Sequence, residues 1–254
     1  MSKRGVEILE NPAKKFLKWE TLKDEDGKVL DATFTWYNRD NINEKTGKGT
    51  NEKVKLPFNF CILDSDWVTF TGYNNDANKY MWANEVQKFS TDTITIKTKG
   101  DNNLVAETND KLFSKDENEY KRVTSFGAKK TISLYVAIKW EENGEFELCN
   151  IHMAGACLSG CGEKEDGWWA YIKTFGGEKG VKFFNNYHTV EGFRLAKMKT
   201  GGKYAYPDFK LGQEVTKEED TQLREILSTL NTYHTYYLNK RKEETAVTET
   251  SVAE

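Results

Sequence analysis

The side chains with the most obvious capacity for metal or nucleophilic chemistry are four cysteines and three histidines, and they are unevenly placed. Cys149-x2-His152-x4-Cys157-x3-Cys161 gathers four of them within thirteen positions, a grouping that can close a tetrahedral zinc site. The geometry opposes it. If residues 145–153 form a strand, Cys149 and His152 lie an odd number of positions apart and point to opposite faces. Cys157 and Cys161, four apart, would share a helix face among small residues, where cysteine behaves as a small hydrophobe. No metal and no cofactor is expected.

Carboxylate pairs such as Asp64/Asp66 and Asp24/Asp26 have the types needed for Mg²⁺ or for acid–base work. Both fall in expected turns, where Asp is favoured because it satisfies turn backbone groups. The loop Thr46–Thr50 (TGKGT) lacks the Gly five positions before its Gly-Lys pair and the Ser or Thr after the Lys that a phosphate-binding loop requires. There is no G-x-S-x-G, H-E-x-x-H or helix-opening G-x-G-x-x-G. His234 lies on the apolar side of a terminal helical pattern, a packing position, and no catalytic centre is expected.

What remains is aromatic residues interleaved with basic ones. Trp36, Tyr37 and Arg39 sit together, Lys97 and Lys99 end one strand pattern, and Lys129 and Lys130 begin another. Trp168, Trp169, Tyr171 and Lys173 form a further group, and Lys197, Lys199, Lys203, Tyr204 and Tyr206 straddle a Gly-Gly turn. Single-strand binders use this combination, because bases stack on rings for about 1–3 kcal/mol each while Lys and Arg follow the phosphates. For any one ring taken alone, core packing is the commoner role.

The elements that must position these residues read mainly as strands. Residues 1–31 form a polar arm, and Ala32–Tyr37 is the first clear strand, running into a Gly- and Asn-rich loop over Asn38–Lys53. Leu56–Leu63 and Trp67–Tyr73 flank Asp64-Ser65-Asp66, which suits a hairpin turn. Tyr80–Val86, Thr93–Thr98 and Asn103–Glu107 continue the strand pattern, and a short helix is expected within Asn109–Asn118. Lys130–Trp140 and Glu145–Met153 form a hairpin through Asn143-Gly144, and Val190–Lys199 with Lys203–Leu211 form another. Thr216 and Glu219 have capping-box spacing ahead of Leu223, Ile226, Leu227, Leu230, Tyr233, His234 and Tyr237, which predicts a helix over 216–238. Residues 241–254 read as a disordered acidic tail.

Hydrophobic residues make up 37% and aromatic residues 13% of the 254, too aromatic for a disordered chain. The net charge of −3 is concentrated: residues 213–254 carry nine acidic side chains against five basic ones, leaving a near-neutral body that has room for a local basic face. With no apolar run of membrane-spanning length, no signal peptide and no disulfide spacing, the expectation is a cytoplasmic protein with no membrane partner.

From Leu56 to Leu158, the runs LPFNFCILDSDWVTFTGYNND (56–76), MWANEV (81–86), TITIKTKGD (93–101), KKTISLYVAIK (129–139) and ELCNIHMAGACLSG (147–160) resemble the single-stranded-DNA-binding proteins encoded by tailed bacteriophages. The resemblance is one of pattern and order, and continues into a terminal helix with an acidic end. It implies an OB-fold-like five-stranded barrel with insertions and a long C-terminal helix, spanning residues 32–240. It implies a protein that coats single-stranded DNA during phage replication or recombination, with an acidic tail that recruits partner proteins. The tail departs from the pattern, having only Glu243, Glu244, Glu249 and Glu254 and no terminal aromatic residue. The expected DNA contacts are Trp36, Tyr37, Tyr204 and Tyr206 for stacking, and Arg39, Lys97, Lys99, Lys129, Lys130, Lys199 and Lys203 for phosphates. The alternatives are a phage structural or accessory interaction protein that binds no nucleic acid, and a metal-dependent nuclease or zinc protein centred on the 149–161 cluster.

Overall fold

The segment TISLYVAI, Thr131–Ile138, is buried at every position, which requires a strand covered on both faces. It belongs to β9 (Ala128–Ile138) and pairs antiparallel with β10 (Glu147–Ala154), as its hairpin pattern predicts. On its other side it pairs with β4 (Phe58–Asn74). The computed structural model describes residues 9–141, 144–159, 167–175, 180–197 and 203–252.

Around β9 the chain is mainly β. β1 (Lys15–Lys23), β2 (Val29–Asn43) and β3 (Lys48–Lys53) precede β4; β5 (Lys79–Ala83), β6 (Val86–Gln87), β7 (Ile94–Thr98) and β8 (Leu104–Thr108) follow it. Two short helices, α1 (Asp110–Lys115) and α2 (Glu117–Ser125), lead into β9. After β10 come α3 (Ala156–Ser159), α4 (Trp168–Lys173), α5 (Gly180–Asn185), the hairpin β11 (Asn186–Lys197) and β12 (Lys203–Glu214), and α6 (Lys217–Val252). One mixed sheet runs in the order β3-β2-β1-β10-β9-β4-β5-β7-β8, with β11 and β6 also on β4 and β12 on β11. β1 and β10 are parallel; the other ladders are antiparallel.

Four expectations are corrected. The polar arm contains β1, a strand inside the sheet whose Leu17 is fully buried. The loop over Asn38–Lys53 is the end of β2 and all of β3. Asp64-Ser65-Asp66 is no hairpin turn: β4 continues through it with two register shifts, and Asp64 accepts hydrogen bonds from the Asp66 amide (2.9 Å) and Trp67 Nε1 (2.9 Å). The first bond satisfies a backbone amide at the bulge and the second fixes the Trp67 indole beside it. The predicted helix over 216–238 continues to Val252, so the segment read as a disordered tail is helical through Val252.

One face of the sheet is covered along its length. The hairpin β11–β12 with α3–α5 closes the core over Leu17, Phe34, Phe60, Leu134 and Ile151, and α1–α2 close a second core over Phe70, Ile94 and Ile96. No strand ladder joins the two ends of the sheet among the described residues. β12 instead approaches β1 and β2 through side chains, with Trp19 Nε1 donating to the Ala205 carbonyl at 3.0 Å. The sheet is therefore open, not a closed five-stranded barrel.

On the opposite face α6 lies across only part of the sheet. Leu223, Leu230, Tyr233 and Tyr237 pack on Cys61, Trp67, Tyr135, Ala137 and Leu148, and Arg241 donates to the carbonyls of Glu85 (3.3 Å) and Thr93 (2.8 Å). The capping box forms: the Glu219 amide donates to Thr216 Oγ1 (3.2 Å) and the Thr216 amide to Glu219 Oε2 (3.0 Å). Beyond α6, among the described residues, this second face exposes Leu104 on β8, Tyr80 and Trp82 on β5, Tyr73 on β4, Lys129 on β9, Phe16 and Lys18 on β1 and Tyr37 on β2, while Thr33, Thr35, Thr131, Ser133 and Asn150 on it are buried.

Candidate nucleic-acid interface

Cross-strand neighbours put their side chains on the same side of a sheet. On the uncovered face the ladders therefore align Lys129, Thr71, Trp82, Lys97 and Leu104 in one row across β9, β4, β5, β7 and β8. Two residues along, Tyr73 faces Tyr80, and the Lys99 amide donates to the Tyr80 carbonyl at 2.7 Å. Further across the sheet, Lys18 on β1 aligns with His152 on β10 and Ser133 on β9, beside Phe16. Tyr80 is 67% exposed and Trp82 43%.

Lys18 and Lys99 approach each other across this face. β1 and β7 are five ladder steps apart, about 24 Å across a flat sheet. Yet Lys99 lies close enough to Lys18 to lower its pKa, second to burial itself, while Glu20 partly offsets both. The strip of this face between Lys18 and Lys99 is called the trough below. Two glycines allow a close approach where β4 meets the start of β9: a Cβ on Gly72 (φ 154°) would lie 2.2 Å from the Gly127 oxygen, and one on Gly127 (φ 82°) 2.2 Å from the Tyr73 oxygen.

The trough floor is polar and satisfied mostly from within. Thr71 and Thr131 share a hydroxyl–hydroxyl bond at 2.8 Å, and Asn150 Nδ2 donates to Ser133 Oγ at 2.7 Å. Ser133 Oγ donates to Glu85 Oε1, and Tyr135 OH to Glu85 Oε2 at 2.7 Å. Burial would raise the Glu85 pKa, but His152, 3.6 Å away, together with Ser133 and Tyr135 holds it below the usual value. This anchored carboxylate marks the border between the α6-covered half of the face and the open half.

The residues singled out from the sequence divide. Lys97, Lys99 and Lys129 line the trough and make no ion pair among the described residues. Tyr37 is exposed on the same side, over the backbone of Gly49, and Arg39 is exposed beside the bulge in β2. Lys130 is corrected. One residue on from Lys129, it points to the opposite face and pairs with the fully buried Asp110 at 2.5 Å. Trp36 is corrected too, being half-buried against the main core with the Lys15 ammonium 4.9 Å from its ring. Tyr204 (8% exposed) and Tyr206 (6%) are buried in β12 and present no ring for stacking. Lys203 is exposed on the β11–β12 hairpin, which packs on the other side of the sheet, and Lys199 lies outside the described residues.

Phe16, Lys18, Tyr73, Tyr80 and Trp82 belong to the trough and were not singled out in the sequence. The signal was present in the alternation of Tyr80 with Trp82 and of Lys97 with Lys99 on two adjacent strands, but only their register shows that these pairs meet. In the cysteine–histidine cluster, Cys149 lies in the core and His152 on the trough side, as alternation predicts. Cys157 is buried in α3, and Cys161 lies outside the described residues. Burial pushes the Cys157 thiol up to about 12. Among the described residues no group of three potential ligands is placed to hold a metal ion, and no helix is long and apolar enough to cross a membrane. No protein-family model, no curated protein and no solved structure matches the chain.

Proposed function

We propose that the trough binds single-stranded DNA with little sequence preference. The observation that carries this is the pair of adjacent rows, Lys129–Thr71–Trp82–Lys97 and Tyr73–Tyr80–Lys99, which set exposed rings beside lysines that make no ion pair among the described residues. Bases stack on such rings whatever their identity, and ammonium groups follow the phosphates. An open sheet offering one partly uncovered face serves this purpose without closing into an OB-type barrel. A role in replication or recombination accords with the phage-protein resemblance.

Titration with oligo-dT is the test. Binding should quench tryptophan fluorescence, with Trp82 as the main reporter. If Lys18, Lys97, Lys99 and Lys129 each meet one phosphate, log K should fall against log salt with a slope of about −3. Absence of binding at low salt would falsify the proposal, and a slope near zero would remove the lysines from it.

A further inference from the structure

Resting on that reading, we infer that the β5–β7 ladder holds two consecutive nucleotides of an unstacked strand running along β5 and β7. One base lies on Trp82 beside Lys97, and the next on Tyr80 beside Lys99.

Spacing is the reason. Tyr80 and Trp82 are two residues apart on β5, as are Lys97 on β7 and Lys99 just past its end, where the Lys99 amide still bonds the Tyr80 carbonyl, so each pair repeats at about 6.8 Å. A stacked nucleic-acid strand repeats every 3.4 Å or so. Only a strand drawn out to roughly twice that repeat offers one base per ring and one phosphate per ammonium, which neither a duplex nor a self-stacked strand does. Trp82 stands directly opposite Lys97 in the ladder, so one row presents a ring and a charge to a single nucleotide.

Both rings are held in place before any ligand arrives. Tyr73 meets Tyr80 edge-on, with centroids 5.0 Å apart and planes at 77°, and Trp82 Nε1 donates to Asn102 Oδ1 at 3.3 Å. Rings already held lose less conformational freedom on stacking. The one carboxylate in the adjoining β7–β8 turn, Asp101, is engaged by Lys79 at 2.6 Å and by Asn103 at 2.8 Å, which blunts its repulsion of a phosphate near Lys99.

The experiment uses the full chain with oligo-dT and oligo-dA of about 12 nucleotides. Trp82→Ala and Tyr80→Ala should each weaken oligo-dT binding by about 5- to 100-fold, with Trp82→Phe and Tyr80→Phe recovering part of the loss. Exchanging the partners of one row, Trp82→Lys with Lys97→Trp, should bind more tightly than Trp82→Lys alone, because ring and charge remain opposite each other. Oligo-dA, which must first unstack, should bind more weakly than oligo-dT in the wild type, with the gap narrowing in the alanine variants. Unchanged unfolding midpoints would show that these exposed positions leave the fold intact. If the wild type binds oligo-dT while both alanine variants bind it equally well, the two-nucleotide register is wrong and the trough reading survives. If the wild type binds neither oligonucleotide, both fall together.

Discussion

A lysine already crowded by protein and by a second lysine gains more from a phosphate than one in open water. Lys18 is such a residue, its pKa lowered first by burial and then by Lys99. Lys99→Gln should therefore raise the Lys18 pKa in the free protein, and saturating oligo-dT should raise it further, both readable by NMR of labelled lysine side chains. The sign matters for binding: as pH rises, Lys18 loses its proton before an ordinary lysine does, so affinity should begin to fall at a correspondingly lower pH. A Lys18 titration that ignores both Lys99→Gln and DNA would remove the crowded pair from the site. Residue types alone drew attention to the right chemistry but in part to the wrong residues. Tyr204 and Tyr206 carry the same rings as Tyr80, and Lys130 the same charge as Lys129; what differs is which side of a strand faces the trough.

Elements with local causes were legible. The capping box of α6 rests on two residues three apart, and it forms. Thr216→Ala should destabilise the protein by about 1 kcal/mol in urea unfolding. Glu219 does more than cap: burial alone would raise its pKa, but hydrogen bonds from Lys139 (2.7 Å) and Tyr187 (2.6 Å), with the Thr216 amide, bring it down to about 2. A folded pKa below the unfolded one means that this stabilisation is complete above the unfolded value of about 4.5 and is lost as pH falls toward 2. Glu219→Gln should flatten that part of the stability–pH curve, and an unaltered curve would contradict the assignment. Other elements were hidden by their own residue patterns. In KFLKWETLK the core-facing Leu17 and Trp19 alternate with Phe16, Lys18 and Glu20 on the trough side, so an apolar residue appears where a half-buried strand should show a polar one. The bulged centre of β4 carries Asp-Ser-Asp, a turn signature, because a bulge leaves backbone groups that the same side chains satisfy.

At the scale of the molecule, one face of the sheet is closed by the β11–β12 hairpin and the short helices, and the other is only partly covered by α6. Trp19 ties the closed side together through its bond to Ala205, where the β11–β12 hairpin meets β1 and β2. Trp19→Phe should cost about 1–3 kcal/mol by leaving that carbonyl unpaired, measured by chemical denaturation. Oligo-dT affinity should be unchanged, because Trp19 faces away from the trough; a large loss of affinity would mean that the two faces are coupled. Local pattern by itself determined the mainly β character, the β9–β10 and β11–β12 hairpins, the start of α6 and the opposed directions of Cys149 and His152, since each depends on neighbours within a few positions. Only the tertiary structure decided that the sheet is open and which rings and lysines share one face of it. An alternating strand has two faces, and which of them is covered depends on α6 and the β11–β12 hairpin, segments distant in sequence from most of the strands they cover, and on the way α1–α2 fold back on their neighbours.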